Sequence, residues 1–288
     1  MSQNHVSQAA RSTGLRGLLQ GNRSLLLGVG ILAAFVAVAL IAHLSGLNSQ
    51  TIATSQRLRP PSLDHWFGTD RLGRDVFARV ALGTSASLAV GAAVATVACA
   101  VGTILGLIAG YFRPLDKVIM RVMDGIIAIP AIMLAIATIS VAGASITSVV
   151  LAVASHEVPR IARLVRSSVL SMREEPYVEA AKLLNSPSRA IIFGHMLPGV
   201  LGSLSVLGTY VAANAMLLEA TLSFLGCGLP PDVPTWGNVM ADGRILFRIA
   251  PWIILFPGLT LAIAVLAINL LGDGLRDRFD PASQRTMS

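Results

Sequence analysis

The stretch GIIAIPAIMLAIATISVAGASITSVVLAVASH, Gly125–His156, runs for 32 residues without an Asp, Glu, Lys or Arg. How it divides decides the fold. As one helix at about 1.5 Å per residue it would be a rod of about 48 Å. The apolar core of a bilayer is only about 30 Å thick. VAGAS (Val141–Ser145) places small, turn-forming residues near the middle. The stretch is therefore expected to be shared between two spans, Val118–Val141 and Ile146–Val165. Asp124, Glu157 and the arginines nearby would then sit at the membrane interface.

The rest of the chain supports a membrane reading. Its 288 residues are 54% hydrophobic and only 13% charged, more apolar than a soluble core requires. Several runs exceed the roughly 18 uncharged residues that mark a spanning helix. The runs are continuous rather than alternating, which points to helices and not to a barrel. The expected fold is all-α and polytopic, with six transmembrane helices. The remaining spans are Ser24–His43, Leu88–Gly110, Gly199–Leu218 and Trp252–Gly272, the last kinked at Pro257. The N-terminal tail (1–23) is basic, and its Ser, Gln and Asn content predicts little order over Met1–Gln20. No small-residue cleavage site follows the first run, so it reads as an uncleaved span. An outer loop (44–79) precedes a transmembrane core (80–272) that contains a cytoplasmic loop (166–198), and a short tail (273–288) closes the chain.

Charge fixes the orientation. The formal net charge is +7, but the basic residues are scattered among apolar runs. That pattern suits the bias of basic residues toward the cytoplasm better than it suits nucleic acid. Six spans with both termini inside put 15 basic residues in the cytoplasm and 7 outside. Five spans would place the richest basic loop outside, against the rule. Lipid is thus the chain's solvent.

Several chemistries are excluded. Cys99 and Cys227 form no CxxC or Cys/His spacing, so neither a disulfide framework nor a metal site is expected. No GxxxxGK[ST] loop occurs, so the chain should bind no nucleotide itself. Ser155, His156 and Glu157 are contiguous and read as a polar helix end rather than a catalytic triad. No catalytic residue is assigned.

One cytoplasmic stretch stands out: EAAKLLNSPSRAIIFGHMLP, Glu179–Pro198. Pro176–Leu184 suits a short helix, with Ala180 and Ala181 offering a closely approachable face. Asn185 stands where that helix should end in the left-handed conformation. Ser186 suits an N-cap and Pro187 the first helical position. A second short helix is expected over Arg189–His195, and Leu197–Pro198 opens the next span. The result is a helix–turn–helix bracket between two spans. Physics alone leaves two roles open for it, a surface loop on the headgroups or a dock for a cytoplasmic partner.

Other residues carry paired readings. Asp70–Arg79 reads as an amphipathic helix with Leu72, Val76 and Val80 on one face. It would lie on the membrane or, through Asp70 and Arg74, meet an outer partner. The Gly226–Gly237 loop with Trp236 has the same two readings, and Trp236 and Trp252 suit an aromatic belt. Glu219 would meet an amine or anchor a helix end. Asn214, Asn269 and Thr209 would line a pathway or bond between helices.

The bracket resembles the EAA loop of ABC-type importer permeases: EAA, three residues, Gly, nine residues, Ile, any residue, Leu-Pro. Glu179-Ala180-Ala181 and Leu197-Pro198 match, while Asn185 stands for Gly and His195 falls at the Ile position. FGTDRLGRDVFARV (Phe67–Val80), FLGCGLPPDVPTWG (Phe224–Gly237), APWIILFPG (Ala250–Gly258) and INLLGDGLRDRFDP (Ile268–Pro281) resemble the second permease subunit of dipeptide, oligopeptide and nickel importers. The resemblance implies a type I ABC importer permease fold in a bacterial inner membrane. It implies a homologous permease as heterodimer partner, two ATP-binding subunits that carry ATP and Mg, and an outer solute-binding protein. It makes peptides the expected cargo and the second bracket helix the coupling helix. Nickel or another small solute is the alternative within the class. A self-sufficient ion-coupled carrier is the alternative outside it, and would want charges deep in its spans and an internal repeat.

Overall fold

The computed structural model describes residues 23–279, which are helical with connecting turns and carry no named strand. The elements are α1 (Arg23–Leu44), α2 (Val76–Tyr111), α3 (Arg113–Ile127), α4 (Ala131–Ala142), α5 (Ile146–Met172), α6 (Pro176–Leu183), α7 (Ser188–Leu225), α8 (Trp236–Gly243) and α9 (Trp252–Phe279). Among them α1, α2, α7 and α9 are long and apolar enough to cross a membrane. The pair α3 and α4 adds a fifth candidate if it is one broken crossing. Most of the tail expected over 1–23, and the residues after Phe279, lie outside the described residues.

Local chemistry starts and stops these helices. Asp75 caps α2, its Oδ1 accepting the Ala78 amide at 2.9 Å. Ser145 caps α5 through the Ser148 amide at 3.1 Å. Thr235 caps α8 through the Asn238 amide at 3.1 Å. Each satisfies an amide that the first helical turn would otherwise leave free. Gly226 ends α7 at φ 84°, and the Cys227 amide reaches back to the Leu222 carbonyl at 2.8 Å, which is a Schellman stop.

The turn at VAGAS is present, with Gly143 at φ 83°. The straight span expected over Val118–Val141 is not. Helices α3 and α4 meet at 91°, broken at Ala128–Pro130. Pro130 has no amide to donate, and its ring drives Ile129 out of the α region. The other spans are longer than expected. The lead-in before Leu88 belongs to the same 36-residue helix as the span itself. Helix α5 runs on to Met172 and α7 begins at Ser188, so much of the 166–198 loop is helix. Helix α9 passes unbroken through Pro257. Helix α8 lies partly in the expected Gly-Pro loop, where Thr235 supplies the cap that starts it.

One contact organises the bundle. A Cβ on Gly102 would stand 2.7 Å from the Ile161 side chain, one on Gly106 2.6 Å from Val165, and one on Gly110 2.7 Å from Val169. The three glycines are spaced at i, i+4 and i+8, so they form one stripe on α2. Their partners on α5 have the same spacing and increase in the same order, so α2 and α5 run parallel. Contacts of Gly91 with Met216 and of Gly208 with Cys99 make α7 antiparallel to α2. Gly28 meets Ala267 and Leu271, and Gly274 meets Leu25, so α1 and α9 are antiparallel with the start of α1 beside the end of α9. One apolar core lies among α2, α4, α5, α7 and the bracket, and a second joins the start of α2 to α7, α8 and α9.

Gly106→Leu should push α5 off α2, an overpacking cost of about 1–3 kcal/mol or more. Gly125→Ala serves as the control, since nothing lies within 4 Å of its added Cβ. Thermal unfolding in detergent should show a lower midpoint for the first variant and an unchanged one for the second. Equal midpoints would remove the stripe from its organising role.

Candidate functional site

The bracket is a rigid base with an exposed apolar tip. Val178, Ile191 and Met196 are buried and belong to the main core. Tyr111 at the end of α2 donates through its hydroxyl to Ser188 at 3.2 Å, and Arg173 donates to the Gly110 carbonyl at 3.1 Å. Tyr177 and His195 tilt against each other across the bracket at 5.8 Å. Beyond this base, Leu183 is 87% and Leu184 81% exposed, with Phe193 and Tyr177 also open. Glu179, Ala180, Pro187 and Arg189 are exposed on the same element pair, and Ala181 is half-buried.

Asn185 takes φ 59°, the left-handed conformation expected at the end of α6. Its amide bonds the Lys182 carbonyl at 3.0 Å, and the Ser186 amide bonds the Ala181 carbonyl at 3.1 Å. This is a complete Schellman motif with Asn in the glycine position. Downstream the expected details shift. Pro187, not Ser186, occupies the cap, and Ser186 makes no side-chain cap bond. The second arm is not a separate helix over Arg189–His195. Ser188–Ile191 passes through a wider turn, Ile192–Met196, straight into Leu197–Leu225. Pro198 explains the wide turn: its ring would crowd the Gly194 carbonyl of a regular helix, and one π-type turn opens that space.

At the far end of the bundle, Asp70–Asp75 is a tight turn rather than a helix, and helix α2 starts only at Val76. Nor does it lie on a membrane surface, since Asp70, Val76, Arg79 and Val80 are buried within the chain. Asp70 Oδ2 accepts from Arg74 Nε at 2.6 Å and from Arg79 at 3.0 Å. Asp242 of α8 accepts from the same two arginines, at 2.7 Å each. Two carboxylates and two guanidiniums thus pin the start of α2 to α8. Glu219 is buried, and its Oε1 accepts from Ser223 at 2.8 Å and Thr235 at 3.2 Å. Trp236 is fully buried, so it belongs to no belt. It donates to the Val80 carbonyl at 3.1 Å and packs against Phe35. Trp252, half-buried, donates to the Thr69 carbonyl at 3.1 Å. Thr209 bonds its own helix at the Val206 carbonyl, and Asn269 is exposed.

The structure also brings together a group that the sequence reading set at a membrane interface. Glu157 and Arg160 stand near the middle of α5, not at its end. Asn214 of α7 donates to Glu157 Oε1 at 2.5 Å. Tyr210 of α7 lies under the Arg160 guanidinium at 5.0 Å. Only the pairing of α5 with α7 reveals this cluster; the sequence signal was an ionisable residue within a helix-length stretch. Among the described residues, no group of three or more His, Cys, Asp or Glu could hold a metal.

Two substitutions test these assignments. Asn185→Val should cost about 1 kcal/mol, since a β-branched residue resists the left-handed turn. Hydrogen exchange at the Asn185 and Ser186 amides should quicken accordingly, while Asn185→Gly should leave it slow. Asp70→Asn removes one buried carboxylate from beneath two guanidiniums and should cost about 3 kcal/mol, read as a lower melting midpoint.

The family model for binding-protein-dependent transport system inner membrane components matches residues 102–285. The chain is 48% identical over 260 residues to a probable peptide ABC transporter permease of Sinorhizobium fredii, covering 90% of this chain and 89% of the relative. It is 43% identical over 267 residues to the dipeptide transport system permease DppC of Alkalihalophilus pseudofirmus, covering 91% and 87%. A glutathione transport system permease, GsiD of Escherichia coli, is 44% identical over 222 residues, covering 77% of this chain and 73% of the relative. The helical bundle, its apolar candidate spans and these matches together make the chain a membrane transport component rather than an enzyme, and it belongs to the family of binding-protein-dependent transport system inner membrane components.

Proposed function

We propose that this chain is one permease subunit of an ATP-driven peptide importer. The relatives named for peptides, dipeptides and glutathione support the cargo class. In this reading a homologous permease completes the pathway, and a solute-binding protein delivers peptide at the far end. Two ATP-binding subunits, holding ATP and Mg, dock at the bracket.

The helix directions support six crossings. Helices α2 and α5 are parallel, so the chain between Tyr111 and Ile146 has to return to the far side. The bent pair α3 and α4 makes that return. Helix α5 itself is less apolar than a lone span, but it lies along α2 over the glycine stripe and shares its depth. The starting end of α1 and the final end of α9 then lie on one side with the bracket. That side is the basic one, hence the cytoplasm.

The observation that carries the coupling role is the bracket itself: exposed Leu183 and Leu184 on a base of buried Val178, Ile191 and Met196. An exposed apolar tip held this firmly suits a cleft in a partner. Helix α7 is one piece from bracket to far end, about 57 Å at 1.5 Å per residue. A displacement of its bracket end therefore reaches Glu219 and α8 without an intervening break. The ATP-binding subunits would drive transport by binding one permease state more tightly than the other.

Leu183→Glu with Leu184→Glu should abolish co-purification of the ATP-binding subunits, by at least tenfold, while the second permease still co-purifies. Both positions are exposed, so folding should survive. Retention of the ATP-binding subunits by this variant would sink the docking assignment.

A further inference from the structure

We infer that Arg160 recognises the carboxylate of the passing peptide within the membrane, from the open face between α5 and α7. The inference rests on the peptide-importer reading above.

Depth is the first argument. Arg160 precedes Ile161, which packs on Gly102 inside the long uncharged run of α2. A guanidinium at that level is costly against lipid and belongs on a water-filled or protein-covered surface. Yet Arg160 is 43% exposed and Tyr210 half exposed in the isolated chain. The face they share is therefore the one turned toward the pathway or the partner permease.

Posture is the second argument. Glu157 is 1% exposed, and its Oε2 is buried without a hydrogen-bond partner, 3.6 Å from Arg160 Nη1. Asn214 holds the other oxygen. The Tyr210 ring supports the guanidinium from one side at 5.0 Å. Arg160 is thus oriented by a buried carboxyl group and an aromatic face, yet among the described residues its guanidinium makes no hydrogen bond. Nη1 faces Glu157 at ion-pair distance, and the remaining N–H donors of the fork are open to a second carboxylate, which they can hold through two parallel bonds.

Space is the third argument. A cavity of about 440 Å³ opens beside Tyr210, lined also by Leu164, Gly202, Ser203, Val206 and Arg276. That volume falls within the range of small-ligand sites. It lies on the bracket side of Arg160, so a peptide held at Arg160 has room ahead of it. Arg276 supplies a second cation at the exit. A zwitterionic peptide would meet Arg160 with its carboxylate, while Glu157 keeps the local charge balanced when the site is empty.

The test uses the complete importer in proteoliposomes, with ATP and its own solute-binding protein. Uptake of a dipeptide is compared with uptake of the same dipeptide carrying a C-terminal amide. The solute-binding protein is common to all variants, so its own preference cancels. Arg160→Gln should lower the acid-over-amide uptake ratio at least about tenfold, the loss expected from even one of the two charge-assisted bonds. Arg160→Lys should restore part of it. Tyr210→Phe keeps the ring and should keep the ratio. An unchanged ratio in an assembled Arg160→Gln complex overturns the inference and leaves the peptide reading standing. Loss of the second permease from that complex also overturns it, because Arg160 would then be an assembly contact. A wild-type complex that moves no peptide overturns the peptide reading itself.

Discussion

The close approach of α2 to α5 is the constraint on which the rest of the bundle depends. In lipid, helices gain little from apolar burial, so association relies on backbones coming close enough for dense packing. Gly102, Gly106 and Gly110 remove the side chains that would keep α5 away, and Ile161, Val165 and Val169 fill the resulting groove. Stiff β-branched side chains suit this role, since they lose little rotamer freedom on packing. The contact also determines chain direction. Two parallel helices joined by only 34 residues force the intervening chain back across the bundle. Pro130 is tolerated because the return path is bent in any case.

The same contact brings the polar residues of α5 into register with α7. Glu157 would be an expensive group in a lone apolar helix. Here it is placed against Asn214, and its cost is shared with Arg160 and the Tyr210 ring. At the far end Glu219 is treated alike, with Ser223 and Thr235 as donors. The two ends of the bundle differ in how they are pinned. The far end uses a buried ion network around Asp70 and Asp242, whereas the bracket end combines apolar burial of Val178, Ile191 and Met196 with more exposed ion pairs, Arg166 with Asp116 and Arg163 with Asp124. Apolar packing can slide by small steps, but a fully paired ionic cluster resists partial displacement.

Features that depend on local chemistry were readable in the sequence. The apolar runs marked the four candidate spans α1, α2, α7 and α9, VAGAS marked its turn, and Asn185 marked a left-handed stop at the predicted residue. Features that depend on neighbours were not. Asp70–Arg79 has the periodicity of an amphipathic helix, yet its charges are consumed by a partner more than 160 residues away in Asp242. Trp236 looks like an interfacial anchor until Phe35 and Val80 bury it. Glu157 and Arg160 were expected at a helix end because polar residues are cheap there. Nothing local shows that α7 supplies Asn214 and Tyr210 at the same level. The glycine stripe was visible as spacing, but its significance lies in α5, which only the fold places beside it.

The joint between the bracket and α7 determines how a displacement at the bracket would travel. A hinge between a coupling helix and the next span would absorb motion, because a free turn dissipates displacement that a helix transmits. Pro198 looks like such a break when only its missing amide is considered. In the structure a single wide turn, Ile192–Met196, makes room for the ring, and the backbone continues without a gap. The Leu197 amide still reaches the Ile192 carbonyl, so the hydrogen-bonded chain is maintained through the irregularity. The chain reverses instead at Leu184–Pro187, where Asn185 takes the left-handed conformation between α6 and α7. A push on the bracket end of α7 would therefore be carried along the whole helix, because no break separates that end from the rest.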